Sequence, residues 1–121
     1  MNLSFGKNEK LKSRKSIEAL FVEGKSIKKH PIKLLYLPSE TSKKTQVTFA
    51  VPKRSFKLAV SRNGIKRQMR EAYRLHKHLL TKESGKTFEF IFLYIGKDKL
   101  EYAQIETSLV TLLKTLSEES I

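Results

Sequence analysis

The stretch QVTFAVPKRSFKLAVSRNGIKRQMREAYRLHK, residues 46–77, begins with alternating apolar residues and continues with apolar residues every three or four positions. The alternation predicts a β-strand, because side chains two apart share one face of a strand. The second spacing predicts a helix over roughly 57–81, which packs on the core through Ile65, Met69 and Ala72. The fold therefore contains a strand that leads directly into a long amphipathic helix.

The face of this helix opposite the apolar residues is almost entirely basic. Between positions 53 and 77 the chain has nine lysines and arginines against one acidic residue, Glu71. Cations four residues apart on a helix repel each other by roughly a few tenths of a kcal/mol per pair, so solubility alone does not explain the pattern. We expect this face and the basic residues before it to bind nucleic-acid phosphates. The residues expected to do so are Arg62, Asn63, Lys66, Arg67, Arg70, Arg74, Lys53 and Arg54.

The composition also favours a polyanionic partner. The chain has 121 residues, with 25 Lys and Arg against 12 Asp and Glu, and a formal net charge of +13. Such a charge favours nucleic acid, with an anionic membrane surface as the competing partner. The length suits one domain spanning 1–121 around a single core.

Several classes of protein are excluded by what the sequence lacks. There is no cysteine, so neither a disulfide framework nor a thiolate zinc site exists. No apolar run approaches the ~18 residues of a membrane span, and the basic start MNLSFGKNEKLKSRK is unlike a signal peptide. The expected location is the cytoplasm, without a membrane partner.

Short patterns predict the elements before this stretch. SRKSIEALFVEGKS indicates a helix capped by Ser13 and ended at Gly24, with Ile17, Leu20 and Phe21 on one face. HPIKLLYLPS indicates a strand. The two faces of that strand are Ile32, Leu34 and Tyr36 on one side and Lys33, Leu35 and Leu37 on the other.

Three further segments complete the predicted fold. SIKKH, residues 26–30, indicates a short edge strand, and TFEFIFLYIG, residues 87–96, is apolar on both faces and therefore belongs inside the sheet. EYAQIETSLVTLLKTLSEES predicts an amphipathic C-terminal helix. The order α-β-β-β-α-β-α predicts an α+β fold, an α/β two-layer sandwich with helices on one side of the sheet and a partly open other side.

These segments make the chain resemble the protein subunit of bacterial ribonuclease P. AVSRNGIKRQMREAYR, following the strand VTFAVPKR, is similar to that family's basic strand end, short loop and R-N-R-x-K-R-x-x-R helix. The segment FGKNEKLKSRKSIEALFVEGKS is similar to the family's first segment. Together these stretches cover more than a third of the chain.

The resemblance implies a mixed four-stranded sheet with a left-handed βαβ crossover, against the general rule of right-handed crossovers. It also implies that the protein binds a large catalytic RNA. The ribonucleoprotein would remove the 5′ leader of precursor tRNA by endonucleolytic cleavage. The family motif falls on Arg62, Asn63, Lys66, Arg67 and Arg70, which the resemblance places against the RNA subunit.

The resemblance further implies a cleft for the single-stranded leader, between the first helix and the more open face of the sheet. By position, the cleft is lined by Ile17, Phe21, Lys33 and Leu35, with Phe5 as a further member. Aromatic residues in such a cleft stack on unpaired bases. For Phe21, a place in the hydrophobic core remains an equal alternative, because a helix of this size needs a buried anchor.

Two positions depart from the family pattern. Gly64 takes the place of the third residue of R-N-R, and Ile17 stands where an aromatic residue is common. Gly64 falls at the edge of the basic sector, so we expect the missing arginine to remove one edge contact. Asn63 has two open interpretations, which are a hydrogen bond to a base or sugar edge and a cap at the helix N-terminus.

The polypeptide lacks the residue pattern of a nuclease site. It has one aspartate, Asp98, and scattered glutamates, so we expect no carboxylate cluster for a metal. His76 and His78 lie on different sides of a helix. We therefore expect no catalytic residue and no cofactor in the protein, with Mg²⁺ bound by the RNA subunit.

Two other classes of protein remain as alternatives. A noncatalytic RNA-binding module, such as a ribosomal protein, would carry the same charge without acting in tRNA maturation. A DNA-binding protein would place the basic helix in a major groove, but no turn and recognition helix flank it, so we expect no DNA partner. Precursor tRNA and the catalytic RNA are the expected partners.

Overall fold

The described part of the chain contains three helices and four strands in the order predicted from the sequence. The structure is a computed structural model, and it describes residues 11, 14–39, 45–79 and 87–119. The elements are α1 (Arg14–Glu23), β1 (Lys25–Lys29), β2 (Ile32–Ser39), β3 (Gln46–Ala50), α2 (Ala59–His76), β4 (Thr87–Tyr94) and α3 (Tyr102–Glu119), with a 3₁₀ turn at Lys77–Leu79.

The four strands form one mixed sheet in the order β1-β2-β4-β3. β1 and β2 form an antiparallel hairpin, β2 pairs antiparallel with β4, and β3 pairs parallel with β4. The predicted edge strand and the predicted interior strand are therefore confirmed as β1 and β4. A parallel pair needs a crossover connection, and α2 supplies it. The handedness of this crossover stays a prediction.

Helices α2 and α3 cover the more apolar face of the sheet. Phe90, Phe92 and Tyr94 of β4 are fully buried there. The ring of Phe92 stacks on that of Phe49 from β3, with centroids 5.6 Å apart. Alternation along β4 thus directs its aromatic rings toward the helices. The helix residues that complete this core are Ile65, Met69, Ala72 and Tyr73 of α2 and Ile105, Leu109, Leu112, Leu113 and Leu116 of α3.

The opposite face of the sheet is covered in part by α1. Leu20 of α1 is fully buried and packs in a small cluster with Leu35 of β2 and Ile91 of β4. Leu11 joins this cluster, and its backbone N–H donates to the carbonyl of Val47 at 2.9 Å. Leu11 therefore occupies a backbone carbonyl at the free edge of β3.

The end of α1 requires a glycine, as predicted. The N–H of Gly24 donates to the carbonyl of Leu20 at 3.1 Å, and a Cβ added to Gly24 would overlap that same oxygen. Ser13, the predicted N-cap, lies outside the described residues. The alternative that Phe21 anchors α1 in the core is wrong, since its side chain is 57% exposed and Leu20 is the buried residue of α1.

Side-chain hydrogen bonds attach α3 to its neighbours. The Ser108 hydroxyl donates to the carbonyl of His30 in the β1–β2 turn at 2.8 Å. The Glu106 carboxylate accepts the Tyr102 hydroxyl at 3.2 Å and lies 3.0 Å from Nε2 of His76 in α2. Burial, followed by the charge of Glu106, raises the pKa of Tyr102 to about 12. The Tyr102 hydroxyl is therefore a hydrogen-bond donor at neutral pH.

Replacing Leu20 by alanine should detach α1 from the sheet, because it leaves a cavity against Leu35 and Ile91. We expect the free energy of unfolding to fall by about 2–5 kcal/mol, measured by urea denaturation with circular dichroism. Val22→Ala is the matched control on the same helix, because Val22 is 83% exposed, and it should change stability by less than about 0.5 kcal/mol. Equal losses for the two variants would contradict this packing.

Candidate nucleic-acid interface

The outward side of α2 presents basic residues to solvent. Arg67 and Arg70 are exposed, and Asn63 is exposed one turn earlier on the helix. Lys53 and Arg54 are exposed in the turn between β3 and α2. The remaining predicted contacts on α2 are half-buried, and these are Arg62, Lys66 and Arg74.

The inward side of α2 fixes the orientation of this face. Ile65, Met69 and Ala72 have no exposed surface, as predicted from their spacing. Tyr73 is also buried, with 2% exposure, although at about 100° per residue it lies only about 20° from Arg62 around the helix. The core side of α2 is therefore wider than the sequence indicated, and it includes the direction of Arg62.

Arg62 hydrogen-bonds to the backbone of the loop that precedes α2. Its Nη1 donates to the carbonyl oxygens of Phe56 at 2.7 Å and Lys57 at 2.9 Å. Hydrogen bonds from a charged donor are stronger than neutral ones. Arg62 therefore fixes the basic loop that precedes α2.

Arg74 is paired with Glu71, the one acidic residue among the basic residues of α2. The Nη2 and Nε atoms of Arg74 donate to the two carboxylate oxygens at 2.5 and 3.2 Å. The hydrogen bond from Arg74 holds the pKa of the Glu71 carboxyl below its ordinary value and raises the pKa of Arg74. The pair lies at the surface, so it adds little stability. Its main effect is to reduce the net positive charge at this end of the face.

Asn63 does not cap α2. The helix begins at Ala59, and the cap position is Leu58, which makes no side-chain cap hydrogen bond. An N-cap residue must precede the first turn to reach its free N–H groups, whereas Asn63 lies in the second turn. The cap interpretation is therefore wrong, and the Asn63 side chain is exposed.

The loop between β4 and α3 is linked to the loop that precedes α2. The ring of Tyr94 packs edge-on against Phe56, with centroids 5.7 Å apart. The Tyr94 hydroxyl donates to the carbonyl of Asp98 at 2.5 Å and accepts the N–H of Leu100 at 3.2 Å. Burial raises the pKa of this hydroxyl. The buried Tyr94 thus links the loop after β4 to the loop before α2.

The residues of the predicted leader cleft have different environments. Phe21 is exposed on α1, whereas Ile17 packs against the small cluster beneath α1. Leu35 is 7% exposed and belongs to that cluster, so it supports the floor of the surface. Lys33 is half-buried on β2, and Phe5 lies outside the described residues.

Lys33 lines a surface depression of about 600 Å³, which the sequence analysis did not predict. Its walls come from the β1–β2 hairpin and from the loop after β4, two segments far apart in the chain. No spacing in the sequence indicates that these segments meet. The charged and histidine side chains that line it are Lys28, His30, Lys33, Lys97 and Asp98.

Neither a metal-binding group nor a membrane-spanning helix is found in the part of the chain that the structure describes. No group of three or more His, Asp or Glu residues is placed to hold a metal ion. No helix within the described ranges is long and apolar enough to cross a membrane.

The fold and the basic helix define an α+β protein with a basic surface, and comparisons with known proteins give its family. The sequence model of the family Ribonuclease P matches residues 5–117. The "Ribonuclease P protein component" of Chlorobium phaeobacteroides is 41% identical over 109 residues, which cover 79% of this chain and 75% of that protein. The protein of the same name from Porphyromonas gingivalis is 43% identical over 76 residues, which cover 61% of this chain and 56% of that protein.

The chain belongs to the ribonuclease P protein family, and it therefore acts in tRNA processing as a subunit of that endoribonuclease. Membership implies partnership with the ribonuclease P RNA. The alternative of a ribosomal-type RNA-binding module is not favoured. The resemblance noted in the sequence is thus confirmed.

Solved structures show the same fold. The ribonuclease P protein of Thermotoga maritima aligns with a TM-score of 0.74 at 23% identity, covering 88% of this chain and 96% of that chain. The Staphylococcus aureus protein aligns with a TM-score of 0.71 at 24% identity, covering 89% of this chain and 94% of that chain. The predicted α+β class with a mixed four-stranded sheet is therefore confirmed.

The contacts of Arg62 predict a role in stability. Arg62→Ala removes two hydrogen bonds to backbone carbonyls, and we expect the free energy of unfolding to fall by about 1–2 kcal/mol. Arg67→Ala, at an exposed position of the same helix, should change it by less than about 0.5 kcal/mol. Thermal and urea denaturation measure both variants. Unchanged stability in Arg62→Ala would show that the two carbonyl contacts do not hold the loop.

Proposed function

We propose that the exposed basic face of α2 binds the RNA subunit of ribonuclease P. The observation that carries this proposal is a helix face with exposed Arg67 and Arg70, backed by residues with no exposed surface. Packing on the sheet fixes the helix. The arginine side chains therefore extend from a rigid backbone at fixed spacing. Folding thus supplies most of the order that an RNA-binding surface needs.

The chemistry of these side chains suits phosphate. An arginine guanidinium donates two parallel hydrogen bonds to phosphate oxygens, which a lysine ammonium cannot do. Each cation that neutralises a phosphate also releases a condensed counterion, so binding depends steeply on salt. Lys66, Lys53 and Arg54 extend the proposed surface around Arg67 and Arg70. Arg62 contributes indirectly, because it holds the loop before α2. Arg74 contributes the positive charge that its pairing with Glu71 does not offset.

We propose that the protein acts by positioning, with the chemical step in the RNA subunit and its bound Mg²⁺. A net charge of +13 offsets the repulsion between the phosphate backbones of the RNA subunit and precursor tRNA. Holding a substrate in reacting geometry accelerates cleavage without any catalytic side chain in the protein. We place this activity in the cytoplasm.

The α1 side of the sheet is our proposed site for the 5′ leader of precursor tRNA. Phe21 is 57% exposed there, and an exposed aromatic ring offers a stacking surface for an unpaired base. Lys33 lies in the depression between the β1–β2 hairpin and the loop after β4, together with Lys28 and Lys97. A single strand stacked on α1 has cations for its phosphates along the same side of the sheet.

Reconstitution with the cognate catalytic RNA tests the function of the α2 face. At low Mg²⁺, adding the protein should accelerate cleavage of precursor tRNA, and Arg67→Ala and Arg70→Ala should each weaken RNA binding. The slope of log affinity against log salt should fall by about 0.7–0.9 per lost contact. Lys114→Ala, at an exposed position on α3, is the control and should leave the slope unchanged. Parent slopes in both arginine variants would remove these residues from the interface.

Phe21→Ala tests the leader site. We expect a loss of affinity of about 5- to 160-fold for precursor tRNA carrying a leader, corresponding to roughly 1–3 kcal/mol of stacking, and no change for mature tRNA. Fluorescence titration of the reconstituted enzyme with both tRNAs measures the difference. Val22→Ala, at the next exposed position of α1, is the matched control. An equal effect of Phe21→Ala on both tRNAs would contradict a leader contact.

A further inference from the structure

Lys99 extends from the loop between β4 and α3 toward the helix α2. A Cβ added to Gly64 would lie 3.4 Å from the ammonium nitrogen of Lys99. Gly64 is the position at the edge of the basic sector that has no side chain of its own. The lysine of a distant segment therefore brings its charge to the place on α2 that the glycine leaves open.

The backbone on both sides of Lys99 is fixed. The Tyr94 hydroxyl binds the carbonyl of Asp98 and the N–H of Leu100, the residues immediately before and after Lys99. Tyr94 has no exposed surface, so these bonds connect the loop directly to the core. The backbone from which the Lys99 side chain extends is thus held in place.

The Lys99 ammonium lies beside Gly64, at the edge of the basic sector of α2. Arg67 follows Gly64 by three residues, which makes the two positions neighbours on the surface of α2. Within the described residues, neither ion pair of the protein includes Lys99. Lys99 is exposed. An arrangement of this kind gains its stabilising partner when a polyanion binds.

We propose that Lys99 is a further phosphate contact of the RNA-binding face, at the position on α2 that Gly64 leaves vacant. The inference rests on the proposed function of α2, and it adds a residue that the helix pattern does not contain. Gly64 has a purpose under this proposal, because a long side chain there would compete with Lys99 for the same space.

The same loop also reaches the other proposed site. Lys97 lines the depression beside Lys33, whereas Lys99 lies against α2, on the opposite face of the sheet. Two lysines of one loop thus serve the two faces. The loop between β4 and α3 places a cation at each proposed RNA site around the end of the sheet.

A double-variant experiment on the full-length protein tests the role of Lys99. Binding of the cognate catalytic RNA is measured over a range of salt concentrations for Lys99→Ala, Gly64→Arg and the combined variant. Lys99→Ala should lower the salt slope by about 0.7–0.9, and Lys99→Arg should preserve it. Gly64→Arg should add no full contact while Lys99 is present, but it should restore the slope of Lys99→Ala.

The controls separate charge from helix stability and from folding. Gly64→Ala improves helix propensity without charge, and its Cβ makes only an ordinary contact with Lys99, so it should raise the unfolding midpoint and leave the slope unchanged. Circular dichroism verifies that each variant is folded, and Lys114→Ala controls for a lost surface charge.

The outcomes distinguish this inference from the proposed function. If Arg67→Ala lowers the salt slope and Lys99→Ala does not, the inference fails and the function of α2 stands. If neither variant changes the slope, the proposed face fails and the role of Lys99 fails with it. A full additional contact from Gly64→Arg beside an intact Lys99 would also overturn the inference.

Discussion

The parallel pairing of β3 with β4 determines the display of charge on this protein. A parallel pair cannot be joined by a hairpin, so the chain must cross the sheet between the two strands, and it does so through α2. The crossover helix must bury one side on the sheet, which Ile65 and Met69 do completely. Its other side then has to face outward. The basic face therefore has a fixed direction because of the strand pairing beneath it.

Basic residues of one type have different roles according to their surroundings. Arg62 is directed toward the loop before α2 and binds two backbone carbonyls, whereas Arg74 is neutralised in part by Glu71. Arg67 and Arg70 are exposed at the angles where α2 faces away from the sheet. A count of positive charges consequently overstates the number of contacts available to RNA and misses the structural use of one arginine.

The sequence predicted those features that depend on local periodicity. Apolar residues on both faces identified the interior position of β4, and helical spacing identified the core side of α2 through Ile65 and Met69. The burial of Tyr73 was not predicted, because Tyr73 and Arg62 point in nearly the same direction around the helix axis. Only the packing of α2 against the sheet and α3 distinguishes them. The exposure of Phe21 and the depression around Lys33 depend on contacts between distant segments, which no spacing within one segment encodes. The environments of the side chains in the proposed leader site were therefore the least predictable part.

The central position of β4 has a consequence for synthesis of the chain. β3 adjoins only β4 in the sheet, and Leu20 of α1 packs partly on Ile91 of the same strand. A nascent chain that has not reached β4 therefore has the β1–β2 hairpin as its one complete strand pair among these elements, while α2 lacks the surface on which it packs. Pairing of strands that are far apart in the sequence slows folding. Incomplete chains thus lack the sheet against which α2 packs, so the proposed RNA-binding face is ordered only after β4 has been made.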